Sequence, residues 1–177
     1  MEKFLTPENE SLMQELCARF VDARNNGERC EDATWNAILK LGVMCSFEAV
    51  ILRFKAYHVP KIFLTRRPDS DPYYAGLWHC PGTYMLPGEN EQSVAARLSL
   101  SELGEAKIVE AQDQGSIIVT DERSTTNSKV YLCRLDKKPT VQGEWFLINA
   151  LPNNLVRHHR TVIYMGLPLE YKALLAK

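Results

Sequence analysis

Between Pro87 and Gly104 the chain reads PGENEQSVAARLSLSELG, and Glu89, Arg97 and Glu102 are the side chains in it best suited to a charged ligand. Carboxylates three or four apart on a helix share one face and can hold a hydrated cation between them. Leu98 and Ser101 leave Glu102 as the only acid on its face. Asn90 is a sound N-cap and Glu91 favours the positive helix end, so a helix should start here. Outside this stretch, Arg66 and Arg67 close an apolar run, where either could fork onto a phosphate. His79 lies between Trp78 and Cys80 and admits a packing or nucleobase-side role. His58 falls in a turn, and His158 and His159 suit a surface or capping role on the last helix. Asp121 and Glu122 open a polar loop and could lend an acid to a cation.

Two kinds of element must position these groups. Residues 1–42 read as a helical extension. Thr6-Pro7-Glu8 is a helix start, Leu12, Met13, Leu16, Cys17, Phe20 and Val21 form an apolar stripe of the kind that packs into a core, and Gly27 follows its end. Asp32 can cap a shorter helix with Trp35, Ile38 and Leu39 on one face, closed by Gly42. Residues 43–177 read differently. MCSFEAVILRF, KIFLTR, KIVEAQDQGSIIVT and KVYLCRL are strand-like, separated by the turns AYHVP and DERSTTNS, and GEWFLINALP follows. From Asn153 to Lys177 a helical period returns, carried by Leu155, Val162, Ile163 and Met165.

The bounds on function are loose. The 177 residues carry a formal charge of -1, so bulk electrostatics advertise neither a nucleic-acid groove nor an anionic membrane surface. Cys17, Cys30, Cys45, Cys80 and Cys133 include no C-x-x-C pair and read as reduced, mostly buried thiols. With no segment near 20 apolar residues and no leader pattern, the chain is expected to be cytoplasmic.

The order strand, strand, Gly-bearing loop, helix, strands, helix resembles the Nudix hydrolases, and LWHCPGTYMLPGENEQSVAARLSLSELGE resembles their signature box. On that pattern the first box Gly falls on Thr83, the isolated Glu on Glu89, the Arg on Arg97, the last Glu of the closing pair on Glu102, and the final Gly on Gly104. FLTRRP resembles the strand before the box and GEWFLINALP the last strand, so the resemblance spans about residues 44–165. It implies an α/β/α sandwich around a mixed β-sheet for residues 43–177. It also implies Glu102 and Glu89 as metal ligands for Mg²⁺, or Mn²⁺ in its place, and Gly82, Gly88, Arg97 and Gly104 as box scaffolding.

Within the superfamily, Arg97-Leu98, three residues, then Glu102-Leu103-Gly104 is similar to GDP-mannose mannosyl hydrolases, which keep a single helix Glu for the metal. That similarity implies a nucleotide-sugar substrate and places Gln142, in KKPTVQGEW, among substrate-binding residues with Arg66 and Arg67. The same loop offers no histidine, so no general base is assigned. Two functions follow. One is a metal-dependent hydrolase of a nucleoside diphosphate linked to another moiety. The alternative is a catalytically inactive Nudix-fold protein that binds a nucleotide or a protein partner. The expected partner is a nucleotide-type small molecule, with a homodimer through the N-terminal helices and neither membrane nor nucleic acid.

Overall fold

A computed structural model of the chain describes residues 6–26, 32–55, 58–141 and 143–175; Gly27, Cys30 and Gln142 lie outside them. The chain divides into two compact units, Met1–Leu41 and Gly42–Lys177. In the first, α1 (Pro7–Asn25) begins where the Thr6 hydroxyl accepts the Asn9 N–H at 3.3 Å, the hydrogen bond of an N-cap. Phe20 stacks on Trp35 of α2 (Asp32–Leu39) with ring centroids 5.9 Å apart. The rest of the expected core stripe is not buried: Leu12, Met13, Leu16, Cys17 and Val21 are all exposed.

The second unit is built on seven strands: β1 (Val43–Arg53), β2 (Lys61–Arg66), β3 (Trp78–His79), β4 (Gly82–Tyr84), β5 (Ile108–Thr120), β6 (Thr125–Leu135) and β7 (Gly143–Leu147). The order is β3-β2-β1-β6-β5, with β4 also on β1 and β7 on β2. β1 runs parallel to β6, from Val43 opposite Thr125 to Ile51 opposite Cys133, and antiparallel to β2 and β4. Successive strand side chains alternate faces. Phe47, Ala49 and Ile51 therefore join Tyr131 and Cys133 in a core closed by α3 (Glu91–Leu98). Val50 and Val130 turn the other way, onto α4 (His159–Gly166) and α5 (Leu169–Leu175). This is the α/β/α sandwich the residues implied. At Gly166 a Cβ would stand 2.6 Å from Val50, so α4 packs this close only through glycine.

Three expectations change. DERSTTNS is only half turn: β6 already starts at Thr125, polar because Thr126 and Ser128 line a buried polar face. The C-terminal helical run is two helices, since Pro168 cannot continue α4. Of the four described cysteines, all unpaired, Cys80 and Cys133 are buried while Cys17 and Cys45 are exposed. Among the described residues no helix is long and apolar enough to cross a membrane.

Candidate active site

Asn90 caps α3 reciprocally with Ser93, each side chain accepting the other's backbone N–H at 3.0 Å. Glu91 does more than favour the helix end, because its Oε1 accepts from Lys129 Nζ at 2.9 Å and the Tyr131 hydroxyl at 2.6 Å. Behind the helix, Arg97 donates to both Glu89 oxygens, through Nε at 2.7 Å and Nη2 at 2.8 Å. It also donates to Thr83 Oγ1 at 2.9 Å and to the Tyr84 carbonyl at 2.7 Å. Glu89 Oε2 takes the Leu86 N–H as well, at 2.6 Å. Glu89 and Arg97 thus form a forked pair that closes the loop containing Gly88, whose φ of +82° suits glycine.

After Leu98 the helix widens into a π-turn, Ser99–Leu103. Leu98 is fully buried beside Val94, Ala95 and Leu103, so it is a core residue and does not face a ligand. Ser99 fixes the turn by donating to the Ala95 carbonyl at 2.7 Å and accepting from Ile108 N–H at 3.0 Å. Ser101 is exposed and donates to the Leu98 carbonyl at 3.3 Å. Gly104 ends the turn at φ +68°, pressed against Thr140 where a Cβ would clash.

The π-turn sends Glu102 inward. Its Oε2 accepts the Gly82 N–H at 3.3 Å and lies 3.5 Å from the Thr65 hydroxyl, and burial pushes its carboxyl up to about 7. Beside it is an acid the sequence reading overlooked, Glu48 of β1. Glu48 is opposite Gly82 in the β1–β4 register, and a Cβ on Gly82 would collide with its Oε2. Burial also pushes Glu48 up to about 7, opposed by the Ser46 hydroxyl at 2.8 Å and Arg67, while the charge of Glu102 adds to the rise. Ser46 lies 3.1 Å from Ser128 of β6, so the polar row extends across the parallel pair. The visible signal was an acid inside an otherwise apolar strand.

Proton accounting ties this floor to the histidines. Burial pushes His79 down to about 3, so it is neutral near pH 7. Its Nδ1, 2.7 Å from the Cys80 carbonyl, carries the proton because a carbonyl only accepts. Nε2 is then an acceptor for the Thr65 hydroxyl at 3.1 Å. Thr65 has one proton for two acceptors, and His79 Nε2 at 3.1 Å is the closer of them, Glu102 Oε2 lying at 3.5 Å. His159 is buried, unlike the surface role first given it, and its Nδ1 accepts the Cys80 N–H at 3.0 Å. His158, half-buried near the rim, has its pKa lowered chiefly by burial.

The two candidate arginines diverge. Arg66 braces its own loop, with Nε on the Gly76 carbonyl at 3.1 Å and Nη2 on Asp69 at 2.9 Å. Arg67 turns toward the carboxylates. Its charge acts on Glu48, Glu102 and His79, and its nearest ion pair, to Asp71, is 3.9 Å long. Asp121 is a loop staple, holding Arg123 N–H at 2.9 Å, Ser124 N–H at 3.2 Å and the Tyr74 hydroxyl. His58 is exposed in its turn. The structure therefore brings together Glu102, Arg67, Gly82 and the unforeseen Glu48, and keeps Glu89, Arg97, Gly88, Gly104 and Arg66 in the scaffold. A separate cavity of about 500 Å³, lined by Arg53, Arg134, Lys138 and Trp145 among others, includes none of these acids.

No family model and no curated protein matches the chain. Solved structures do. The MutT Nudix hydrolase from Burkholderia pseudomallei matches with a TM-score of 0.61 and 22% identity, over 71% of this chain and 99% of that one. The C-terminal domain of mouse MUTYH, solved in complex with human PCNA, matches at 0.55 and 24%, over 70% and 87%. NrtR from Shewanella oneidensis, solved with a 27mer DNA, matches at 0.54 and 17%, over 69% and 59%. The architecture is therefore used in a hydrolase and in proteins solved with a protein or with DNA. The likeness is one of architecture, and the chain has the Nudix fold.

Proposed function

We propose that this chain is a Nudix-type hydrolase of a nucleoside diphosphate linked to another moiety, a nucleotide sugar being the substrate class its box favours, working with Mg²⁺ or Mn²⁺. The observation that carries the reading is the buried Glu48–Glu102 pair flanking Gly82, two acids raised to about 7 by desolvation. Two buried carboxylates are costly without a compensating cation, and an all-oxygen set suits a hard divalent ion. The residues present therefore fit such an ion. Two acids fill only part of its shell, and among the described residues no third His, Cys, Asp or Glu joins them. Diphosphate oxygens and water would supply the rest.

When bound, the ion would neutralise diphosphate charge. Glu102 and Glu48 would hold it. The π-turn aims Glu102, and Gly82 makes room for Glu48 while its N–H binds Glu102. Arg67 lends positive charge beside the phosphates. With both acids committed to the ion, neither is free to take a proton, and no general base is assigned among the described residues.

The second reading, a nucleotide binder without turnover, is favoured by one observation: neither Glu89, forked onto Arg97, nor Leu98, in the core, offers an oxygen to a metal. A panel of nucleotide sugars and dinucleotides assayed with Mg²⁺ separates the two. The hydrolase reading expects turnover in the wild type and a fall of about 100-fold in both Glu102→Gln and Glu48→Gln. Absence of turnover across the panel, with nucleotide titrations unchanged by EDTA or by either substitution, would leave the binder.

A further inference from the structure

Arg67 and Arg123 reach the carboxylate floor from two different loops. Each loop is stapled by an aspartate. Asp71 accepts the Tyr73 N–H at 3.0 Å and the Tyr74 N–H at 2.9 Å, and Asp121 does the same for Arg123 and Ser124. The Tyr74 hydroxyl donates to Asp121 and so ties the loops together. The Arg123 guanidinium lies 5.4 Å over the Tyr84 ring, whose hydroxyl meets Ser124 at 3.2 Å. Tyr84 is paired with Ser46, two residues along β1 from Glu48. Both arginine charges act on Glu48, Asp71 and His79, so the two side chains converge on one place.

What sets this pair apart is how little they bond. The Nε atoms of Arg67 and Arg123 are both shielded from solvent and have no hydrogen-bond partner among the described residues. Arginines with a scaffolding task in this chain look different: Arg66 and Arg97 each donate through Nε and through a terminal nitrogen to acceptors within 3.1 Å. A shielded guanidinium N–H without an acceptor is costly, and Asp71, which approaches a terminal nitrogen of Arg67 only to 3.9 Å, does not reach its Nε. Asp71 and Asp121 already accept from backbone and tyrosine donors, and Glu48 accepts from Ser46. An anion with several acceptor oxygens would supply both missing partners.

We propose that Arg67 and Arg123 form a clamp for a phosphoryl or pyrophosphoryl group, with the Tyr84 ring holding the plane of Arg123. Guanidinium forks suit phosphate oxygens, and two forks from opposite loops fit one diphosphate better than one carboxylate. The clamp deepens the proposed function, in that it gives the diphosphate of that substrate its protein donors, yet its chemistry needs neither metal nor turnover.

Calorimetric titration of the full chain with inorganic pyrophosphate in EDTA tests it. The wild type should bind, Arg123→Ala and Arg67→Ala should each weaken binding at least tenfold, and Arg123→Lys, which keeps charge without the fork, should fall between. Arg134→Ala, an exposed arginine bonded to Glu110, is the control and should bind as the wild type does. Thermal melts of all four variants verify folding, and Arg123→Lys carries the test should an alanine variant melt early. No pyrophosphate binding by the wild type, unchanged affinity in Arg123→Ala and Arg123→Lys, or an equal loss in Arg134→Ala would each overturn the clamp. Because the titration excludes metal, those failures leave the hydrolase reading standing, and a failed turnover panel leaves the clamp standing.

Discussion

Two regions built from the same box treat charge in opposite ways. Around Arg97 the guanidinium donates to both Glu89 oxygens, to Thr83 and to the Tyr84 carbonyl, and Glu89 also holds Leu86 N–H. A short distance away, Glu48 and Glu102 are buried on either side of Gly82 with few donors, and Arg67 and Arg123 keep shielded Nε atoms without acceptors among the described residues. The brace is complete as folded; the floor, on the function proposed above, is completed by a ligand. Charge that stabilises and charge that waits for a ligand are therefore distinguishable by their hydrogen bonds, which residue types alone do not reveal.

The largest effect should come from treating a scaffold position as part of the floor. Leu98→Glu would bury a carboxylate in the apolar cluster of Val94, Ala95 and Leu103, lowering stability by about 4 kcal/mol or more in urea titrations and adding no metal affinity. A stable variant with tighter Mg²⁺ binding would restore Leu98 to the metal face. Next, Arg97→Ala removes the forked pair and strands the half-buried Glu89, a loss of about 3 kcal/mol that persists when nucleotide is added. Recovery of that loss by nucleotide would mean that the brace belongs to the site.

The smallest effect has the opposite sign. Glu48 has its folded pKa raised to about 7 from an ordinary value near 4.5. Its contribution to stability is full below about 4.5 and is lost as pH rises through 7. Glu48→Gln carries no such loss, so its advantage over wild type should be about 2 kcal/mol larger at pH 8 than at pH 5. His79, pushed down instead, gives the reverse slope, but it is common to both proteins and cancels in the difference. A difference that does not change with pH in chemical-denaturation curves would show that Glu48 is not a strained acid.

Part of the brace could be read from the sequence because it is set by spacing: Asn90 as an N-cap, Arg97 as scaffolding, and Gly88 and Gly104 where φ turns positive, whereas Glu89 was expected at the metal and its fork onto Arg97 was not foreseen. The floor could not. Glu48 sits in a strand that reads as core, and its chemistry appears only when β4 and the π-turn close over it. Leu98 gave a different error. Val94, Ala95 and Leu98 form a plain apolar stripe, but comparison with a metal-binding pattern turned Leu98 into a missing ligand. Thr126 and Ser128 read as turn because polarity was taken for exposure, whereas they line the buried polar face of β6.

The parallel pairing of β1 with β6 also sets an order in time. Ser46 and Ser128, which meet across it, are 82 positions apart, whereas Glu89 and Arg97 are 8 apart. Contacts between distant segments close slowly because loop entropy is lost before they form. During refolding the box loop can therefore gain its brace while β6 is still unpaired, and the contacts across the parallel pair form afterwards. Nascent chains that end before Thr125 would already carry the brace together with Glu48, Gly82 and Glu102, while Ser46 would still lack Ser128 across the parallel pair.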